Sequence, residues 1–220
     1  MLSRIATTVV PSLGRLTVTS DERTAFAPGS IIVANHTSLA DPGIVLAALR
    51  RLGVEPVVLA AAGLWRVPLL GTLLSSGGHV PVHRGSARAA EALERAEEAL
   101  GAGRHVLLYP EGRLPLREDA AESAPENFRS GLARLTQRTG APVVPVGQAG
   151  ARRVTSGSTA KQIAGLLTAP ARRPRLHVHV GAPLLLPADR RAATAAAHRA
   201  VTEAWQTAAR HAGEGPVLAA

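Results

Sequence analysis

The sequence predicts an α/β fold: a single domain on a mixed, mainly parallel β-sheet flanked by helices. Two observations carry that expectation. Short apolar runs bounded by turn-forming residues have strand character at 30–34, 56–60, 79–83, 104–109, 142–147 and 176–181. Helix-like segments lie between most of them, and alternation of this kind demands crossover connections, hence parallel pairing with both sheet faces covered. The chain has 220 residues, 46% of them hydrophobic, enough to bury one substantial core but cramped for two full domains.

Residues 1–25 read as an N-terminal amphipathic segment, with Arg4 and Arg15 among Leu2, Ile5, Val9, Val10, Leu13 and Leu16, interrupted at Pro11. A domain over 26–212 and a disordered tail over 213–220 follow. After the strand at 30–34, Asp41-Pro42 marks a helix start, because Pro favours the first helical position and Asp the cap before it. The helix at 86–100 has Ser86 as cap and is stopped by Gly101 and Gly103, and another runs over about 127–138 to Gly140. Residues 148–174 lack periodicity and read as a long loop with room for one helix. Their Arg152, Arg153, Lys161, Arg172 and Arg173, with Arg175 just beyond, read as a solvated basic surface in preference to a lipid-binding patch. His177 and His179 share one strand face, expected to be solvated and without metal-ligand spacing. An alanine-rich helix at 188–211 closes the domain.

Composition narrows the function. The absence of cysteine excludes a disulfide framework and cysteine-based zinc or redox chemistry. Net charge is +9, carried by arginines and a single lysine, which suits anionic lipid head groups or acidic cofactors. An aromatic content of 2% offers little for base stacking, so nucleic acid is not expected as a partner. No run of 18 apolar residues is present, so a spanning helix is not expected, and neither is a cleavable signal peptide.

The chemistry lies in Asn35-His36-Thr37-Ser38-Leu39-Ala40-Asp41-Pro42, directly after a strand. Imidazole can take a proton from a hydroxyl near neutral pH, and a neighbouring carboxylate fixes its tautomer and stabilises the imidazolium. Five positions apart on an ideal helix these side chains would diverge, so pairing His36 with Asp41 needs a turn between them. The competing reading makes Asp41 a helix cap and His36 a loop histidine. Asp41 can also serve both ends, one oxygen taking backbone N–H groups and the other the imidazole.

Two further blocks, His79-Val80-Pro81-Val82-His83-Arg84-Gly85 and Val106-Leu107-Leu108-Tyr109-Pro110-Glu111-Gly112-Arg113, each end a strand with charged residues. With the His/Asp block, with Phe128-Arg129-Ser130-Gly131 and with Ala141-Pro142-Val143-Val144-Pro145-Val146, they resemble, in order, the motifs of the glycerolipid acyltransferase superfamily, typified by bacterial 1-acylglycerol-3-phosphate acyltransferase. The resemblance covers residues 28–185. It implies that His36 is the general base, that Asp41 orients it, and that a hydroxyl attacks an acyl thioester directly, so Ser38 need not form an acyl-enzyme. It further implies acceptor binding by Arg84, Glu111, Gly112 and Arg113, guanidinium groups suiting a phosphate. No cofactor or metal follows from it, only acyl-CoA or acyl-ACP as co-substrate. The partners implied are a lysophospholipid, an acyl thioester, an anionic membrane surface and acyl carrier protein, at the inner face of the cell membrane. Arg113-Leu114 stands where the family has Thr-Arg, and a family lysine and glutamate are missing near Ala60-Ala61-Ala62. Those departures leave three alternatives open: another lysolipid or alcohol acceptor, a hydrolase, or a degenerate basic membrane protein. The Gly-x-Ser-x-Gly elbow expected of the hydrolase is not present.

Overall fold

Seven strands form one sheet: β1 (Arg15–Ser20), β2 (Ile31–Ala34), β3 (Val57–Ala61), β4 (Val80–Val82), β5 (Val106–Leu108), β6 (Val143–Ala149) and β7 (Arg175–Val180), in the spatial order β1-β7-β6-β2-β5-β3-β4. The computed structural model describes residues 1–85, 88–115 and 119–213. All neighbours pair in parallel except β6 with β7. The helices are α1 (Leu2–Leu13), α2 (Asp41–Arg51), α3 (Leu70–Ser76), α4 (Ala89–Gly101), α5 (Gly131–Thr139), α6 (Thr159–Arg172) and α7 (Arg190–Ala212). Among the described residues no helix is long and apolar enough to cross a membrane.

The two-residue period of the strands sorts the core into two layers. Ile32, Ala34, Leu107, Val144 and Val146 pack under α1 and α2, while Ile31, Val33, Val106, Leu108 and Val143 pack under α4, α5 and α7. β2 lies at the centre with Ile31 opposite both Val106 and Val143, and all its residues are buried, as a strand covered on both faces requires. On the second layer α7 rests on β6 backbone to backbone at Gly147, where a Cβ would fall 2.1 Å from the main chain of Ala204 and Trp205. Only glycine permits that approach.

Several elements differ from expectation. β1 is an additional strand, whose Arg15, Thr17 and Thr19 hide the apolar alternation and whose whole length pairs with β7. Helix α1 runs through Pro11 without a break, although Pro11 lacks the N–H that would bond the carbonyl of Thr7, and ends two residues later at Leu13. α6 is the helix for which the stretch 148–174 left room, here placed at Thr159–Arg172 and capped by Ser158, whose hydroxyl accepts from the Lys161 N–H. α5 begins at Gly131 rather than near 127. The face carrying His177 and His179 is buried, not solvated: His177 stacks on His211 of α7 at 4.5 Å and bonds to Thr17 and Thr19, and His179 lies 3.2 Å from Asp21. Arg152 likewise is buried, an exception to the solvated basic surface. The Ser86 cap and the tail beyond Gly213 lie outside the described residues.

Candidate active site

β2 and β5 are adjacent and parallel, so the loops leaving their carboxyl ends emerge side by side. One carries His36 and the other Glu111, and the His36 N–H donates to Glu111 Oε1 at 2.5 Å. His36 Nδ1 lies 3.0 Å from Asp41 Oδ2. A carboxylate only accepts, so Nδ1 carries the hydrogen and Nε2 is left with a free lone pair, the arrangement of a general base. Asp41 is the first helical residue with Ala40 as N-cap, not the cap that Asp-Pro suggests. Its carboxylate turns back onto the loop instead. Oδ2 alone takes the Thr37 N–H at 2.5 Å, the Ser38 N–H at 2.8 Å and the imidazole, while Oδ1 is buried and has no hydrogen-bond partner among the described residues. The division of labour between two oxygens does not occur.

Buried polar side chains fix this loop from every side. Asn35 is paired in both directions with the main chain of Gln148, its Nδ2 donating to the carbonyl and its Oδ1 accepting the N–H. Gln148 Nε2 donates to Thr37 Oγ1, and Arg152 donates to the Thr37 carbonyl at 3.0 Å and also bonds the Asp119 carbonyl. Ser38 bonds Thr155, both at the hydroxyl and the carbonyl. It is 3% exposed and is locked away from His36, so it does not complete a nucleophilic triad. The Tyr109 ring packs on His36 with centroids 4.6 Å apart. Burial, and then the Asp41 charge, push its phenol well above the ordinary range, so it stays neutral.

Glu111 is 3% exposed, and its second oxygen accepts the Glu126 N–H at 2.8 Å. Burial raises its pKa from the ordinary 4.5 to about 7, against the opposing pull of those two N–H groups and of His36. Both oxygens are occupied by main chain. Glu111 is therefore a positioning residue that clasps the His36 loop to the 125–126 loop, not a surface group awaiting a ligand.

In front of His36 opens an apolar groove of about 920 Å³, walled by α1, the start of α2, Leu64 and α6, with Arg84 and Arg113 among its lining residues. A second, polar hollow of about 650 Å³ lies beyond Arg113, lined by Glu126, Phe128, Arg129 and His198. Burial, and then the nearby Arg129 charge, lower the pKa of Arg84. Arg129 is drawn in by Gly112: at φ +75°, a Cβ there would lie 2.8 Å from the Arg129 side chain. Arg113 is exposed and paired with Glu126 at 3.3 Å.

A sequence model of the family described as Acyltransferase matches residues 15–148, more than half of the chain. The chain belongs to the acyltransferase family. Among curated relatives, a chloroplastic 1-acyl-sn-glycerol-3-phosphate acyltransferase from Brassica napus is 30% identical over 53% of this chain and 31% of its own length. A 1-acyl-sn-glycerol-3-phosphate acyltransferase from Borreliella burgdorferi is 29% identical over 60% of this chain and 50% of its own. The chain thus spans half or less of the curated relatives it matches. The crystal structure of the 1-acyl-sn-glycerophosphate acyltransferase PlsC from Thermotoga maritima superposes with TM-score 0.69 at 18% identity, covering 100% of this chain and 80% of that one, which shows a shared fold.

In this member of the family the residues expected at the site do come together. His36 is paired with Asp41, Glu111 and Gly112 hold neighbouring loops and side chains, and Arg84 and Arg113 line the groove that His36 faces. Sequence reasoning did not assign Asn35, Tyr109, Arg129, Gln148 and Arg152. Gln148 and Arg152 had a signal, polar residues at the end of an otherwise apolar strand, which is where buried α/β sheets place functional groups.

Proposed function

We propose that this acyltransferase moves a fatty acyl group from an acyl-CoA or acyl-ACP thioester to the free hydroxyl of a lysophospholipid at the inner face of the membrane. The acceptor is 1-acyl-glycerol-3-phosphate and the product phosphatidic acid. The observation that carries this reading is the His36–Asp41 pair on the wall of an apolar groove that Arg84 and Arg113 also line. An amphipathic anion with a reactive hydroxyl between its chain and its phosphate fits such a groove, and the names of the relatives point the same way.

The geometry supports the following steps. His36 Nε2 accepts the proton of the acceptor hydroxyl as that oxygen attacks the thioester carbonyl, and the imidazolium so formed donates through Nδ1–H to Asp41. Collapse of the tetrahedral intermediate forms the ester, breaks the C–S bond, and returns the proton from His36 to the departing thiolate. Arg84 and Arg129 pair with the acceptor phosphate, while Arg113, already tied to Glu126, is the weaker candidate. Neither metal nor bound cofactor has a step here.

The test is transfer from long-chain acyl-CoA, and separately acyl-ACP, to lysophosphatidic acid in detergent, with the lipid product followed by mass. Parent protein makes phosphatidic acid, His36→Ala abolishes it, and Arg84→Ala raises the acceptor KM with little change in kcat. Activity only on another lysolipid or an alcohol refutes the acceptor while keeping the dyad. Release of free fatty acid without any acceptor refutes transfer itself.

A further inference from the structure

Two buried polar atoms beside His36 have no hydrogen-bond partner among the described residues: Asp41 Oδ1 and the Tyr109 hydroxyl. An unpaired buried donor or acceptor is destabilising, and native proteins leave few of them. Here one of each is found around a single imidazole. Asp41 is bonded to His36 Nδ1 through Oδ2, and the Tyr109 ring lies against the His36 ring with centroids 4.6 Å apart.

The two atoms are matched in kind, since a carboxylate oxygen only accepts and a protonated phenol can donate. Tyr109 stays protonated because burial, and then the Asp41 charge, raise its pKa, so the charge that reaches the phenol is that of Asp41. The hydrogen bonds on the carboxylate are uneven. Oδ2 takes three donors, the imidazole and the Thr37 and Ser38 N–H groups, while Oδ1 takes none. An enclosed oxygen without a donor keeps its charge concentrated, which favours the imidazolium over the free base that catalysis needs. The rest of the Tyr109 side chain packs against the apolar layer under α1 and α2 and lines the groove. Phenylalanine would fill that place as well, so packing does not account for the hydroxyl.

We propose that Tyr109 is a positioning residue of the dyad, whose hydroxyl donates to Asp41 Oδ1 through one bridging water and, by sharing the carboxylate charge, keeps His36 a free base. A water placed between a donor and an acceptor satisfies both atoms at once. Tyr109 thus acts through Asp41 and His36 rather than on the substrate. Its role in the rate rests on the reading of His36 as the general base; the hydrogen bond to Asp41 does not. The other charged groups around His36 are Glu111 and Arg113 after β5, Arg84 after β4 and Arg152 after β6. Glu111 itself titrates at about 7. All four are the same in the proteins compared below, so a change between those proteins belongs to the hydroxyl.

Tyr109 is the single tyrosine of the chain. Incorporation of 3-fluorotyrosine therefore alters this hydroxyl alone, making it a stronger donor, and Tyr109→Phe removes it while keeping the ring. Two quantities are read in each protein. One is the acid limb of kcat/KM for transfer from long-chain acyl-CoA to lysophosphatidic acid. The other is the proton resonance of His36 Nδ1–H, which moves downfield as its bond to the carboxylate strengthens. In Tyr109→Phe the limb moves to higher pH by about half a unit or more and the resonance moves downfield. Fluorotyrosine moves both in the opposite direction. If the hydroxyl is idle, neither quantity moves and Tyr109→Phe melts above the parent, having lost an unpaired buried group; that result overturns the proposal. A limb that moves while the resonance stays puts the hydroxyl on the substrate and overturns it too. Opposite movements of the resonance in a protein inactive on every lysolipid refute the catalytic reading and leave the bond to Asp41 standing.

Discussion

Replacing Glu111 by glutamine separates what this buried carboxyl contributes to stability from what it contributes to catalysis. Its pKa stands at about 7 in the folded protein, against 4.5 as the ordinary value. Between those two pH values the folded chain binds the proton more tightly than the unfolded chain, so stability falls as pH rises through that window. The full loss is about 3 kcal/mol at ~1.4 kcal/mol for each pH unit, with little reduction by solvent because the residue is 3% exposed. Glutamine cannot ionise. At the acid end the variant is the less stable, since the hydroxyl oxygen of a protonated carboxyl can still accept an N–H, whereas a carboxamide NH2 only donates and leaves one of the His36 and Glu126 N–H groups unpaired. From there to above neutrality the balance moves toward Glu111→Gln by about 3 kcal/mol, and the variant is the slower enzyme because its carboxamide cannot accept both N–H groups and clasp the two loops. The assay is urea unfolding of both proteins in steps across this pH range, with acyl transfer measured in the same buffers. His79 and His177, which burial holds neutral down to about 4, lose stability in the opposite direction as pH falls. The parent-minus-variant difference removes their contribution. A difference that stays flat with pH, or that moves toward the parent as pH rises, refutes the argument.

Two further substitutions probe the dyad and the frame. Asp41→Asn keeps an acceptor for the Thr37 and Ser38 N–H groups but withdraws the charge facing the imidazolium; kcat falls about a hundred- to ten-thousand-fold with donor KM nearly unchanged, checked by single-turnover transfer. Gly147→Ala places a methyl 2.1 Å from the α7 backbone; it costs about 1–3 kcal/mol in urea unfolding and shifts Trp205 fluorescence, and parental stability would show that the contact is not made.

Strands were legible wherever β-branched runs ended in turn residues, because a parallel strand buried on both faces leaves no other pattern, and β2, β5 and β6 are of that kind. β1 was not, since its alternation is threonine and arginine and it takes its place from pairing with β7, a contact some 160 residues away in sequence. The bounds of α6 were not legible because its large apolar residues Ile163, Leu166 and Leu167 are exposed and only Ala169 reaches the core, so its pattern does not mark an inner face. At the site, His36, Asp41 and Arg84 could be named because reacting and anion-binding chemistry restricts the residue type. The strand-end position of Gln148 and Arg152 was a signal, but the roles of Asn35, Gln148 and Arg152 could not be named, because what selects them is unpaired backbone in a loop, visible only once the loop has a shape.

That loop explains why the motifs occur as separated blocks in one chain. Residues 35–40 have no helix or ladder of their own to satisfy their backbone, yet Asn35, Thr37 and Ser38 are buried. Each N–H must therefore find an acceptor from elsewhere, or the loop costs several kcal/mol in unmade hydrogen bonds. Glu111 supplies the acceptor for His36, and Asp41 supplies it for Thr37 and Ser38. The Thr37 carbonyl goes to Arg152. The His/Asp block, the Glu-Gly block and the end of β6 are thus one hydrogen-bonded object distributed over three strand ends. A base held on the main chain by these partners and packed against Tyr109 has little freedom to leave its line of attack. Substitutions at the buried partners consequently lower the rate without touching the substrate. The surface arginines answer to a different demand, the shape of the anion, and it is at that surface, not in the buried set, that Arg113-Leu114 stands in place of Thr-Arg.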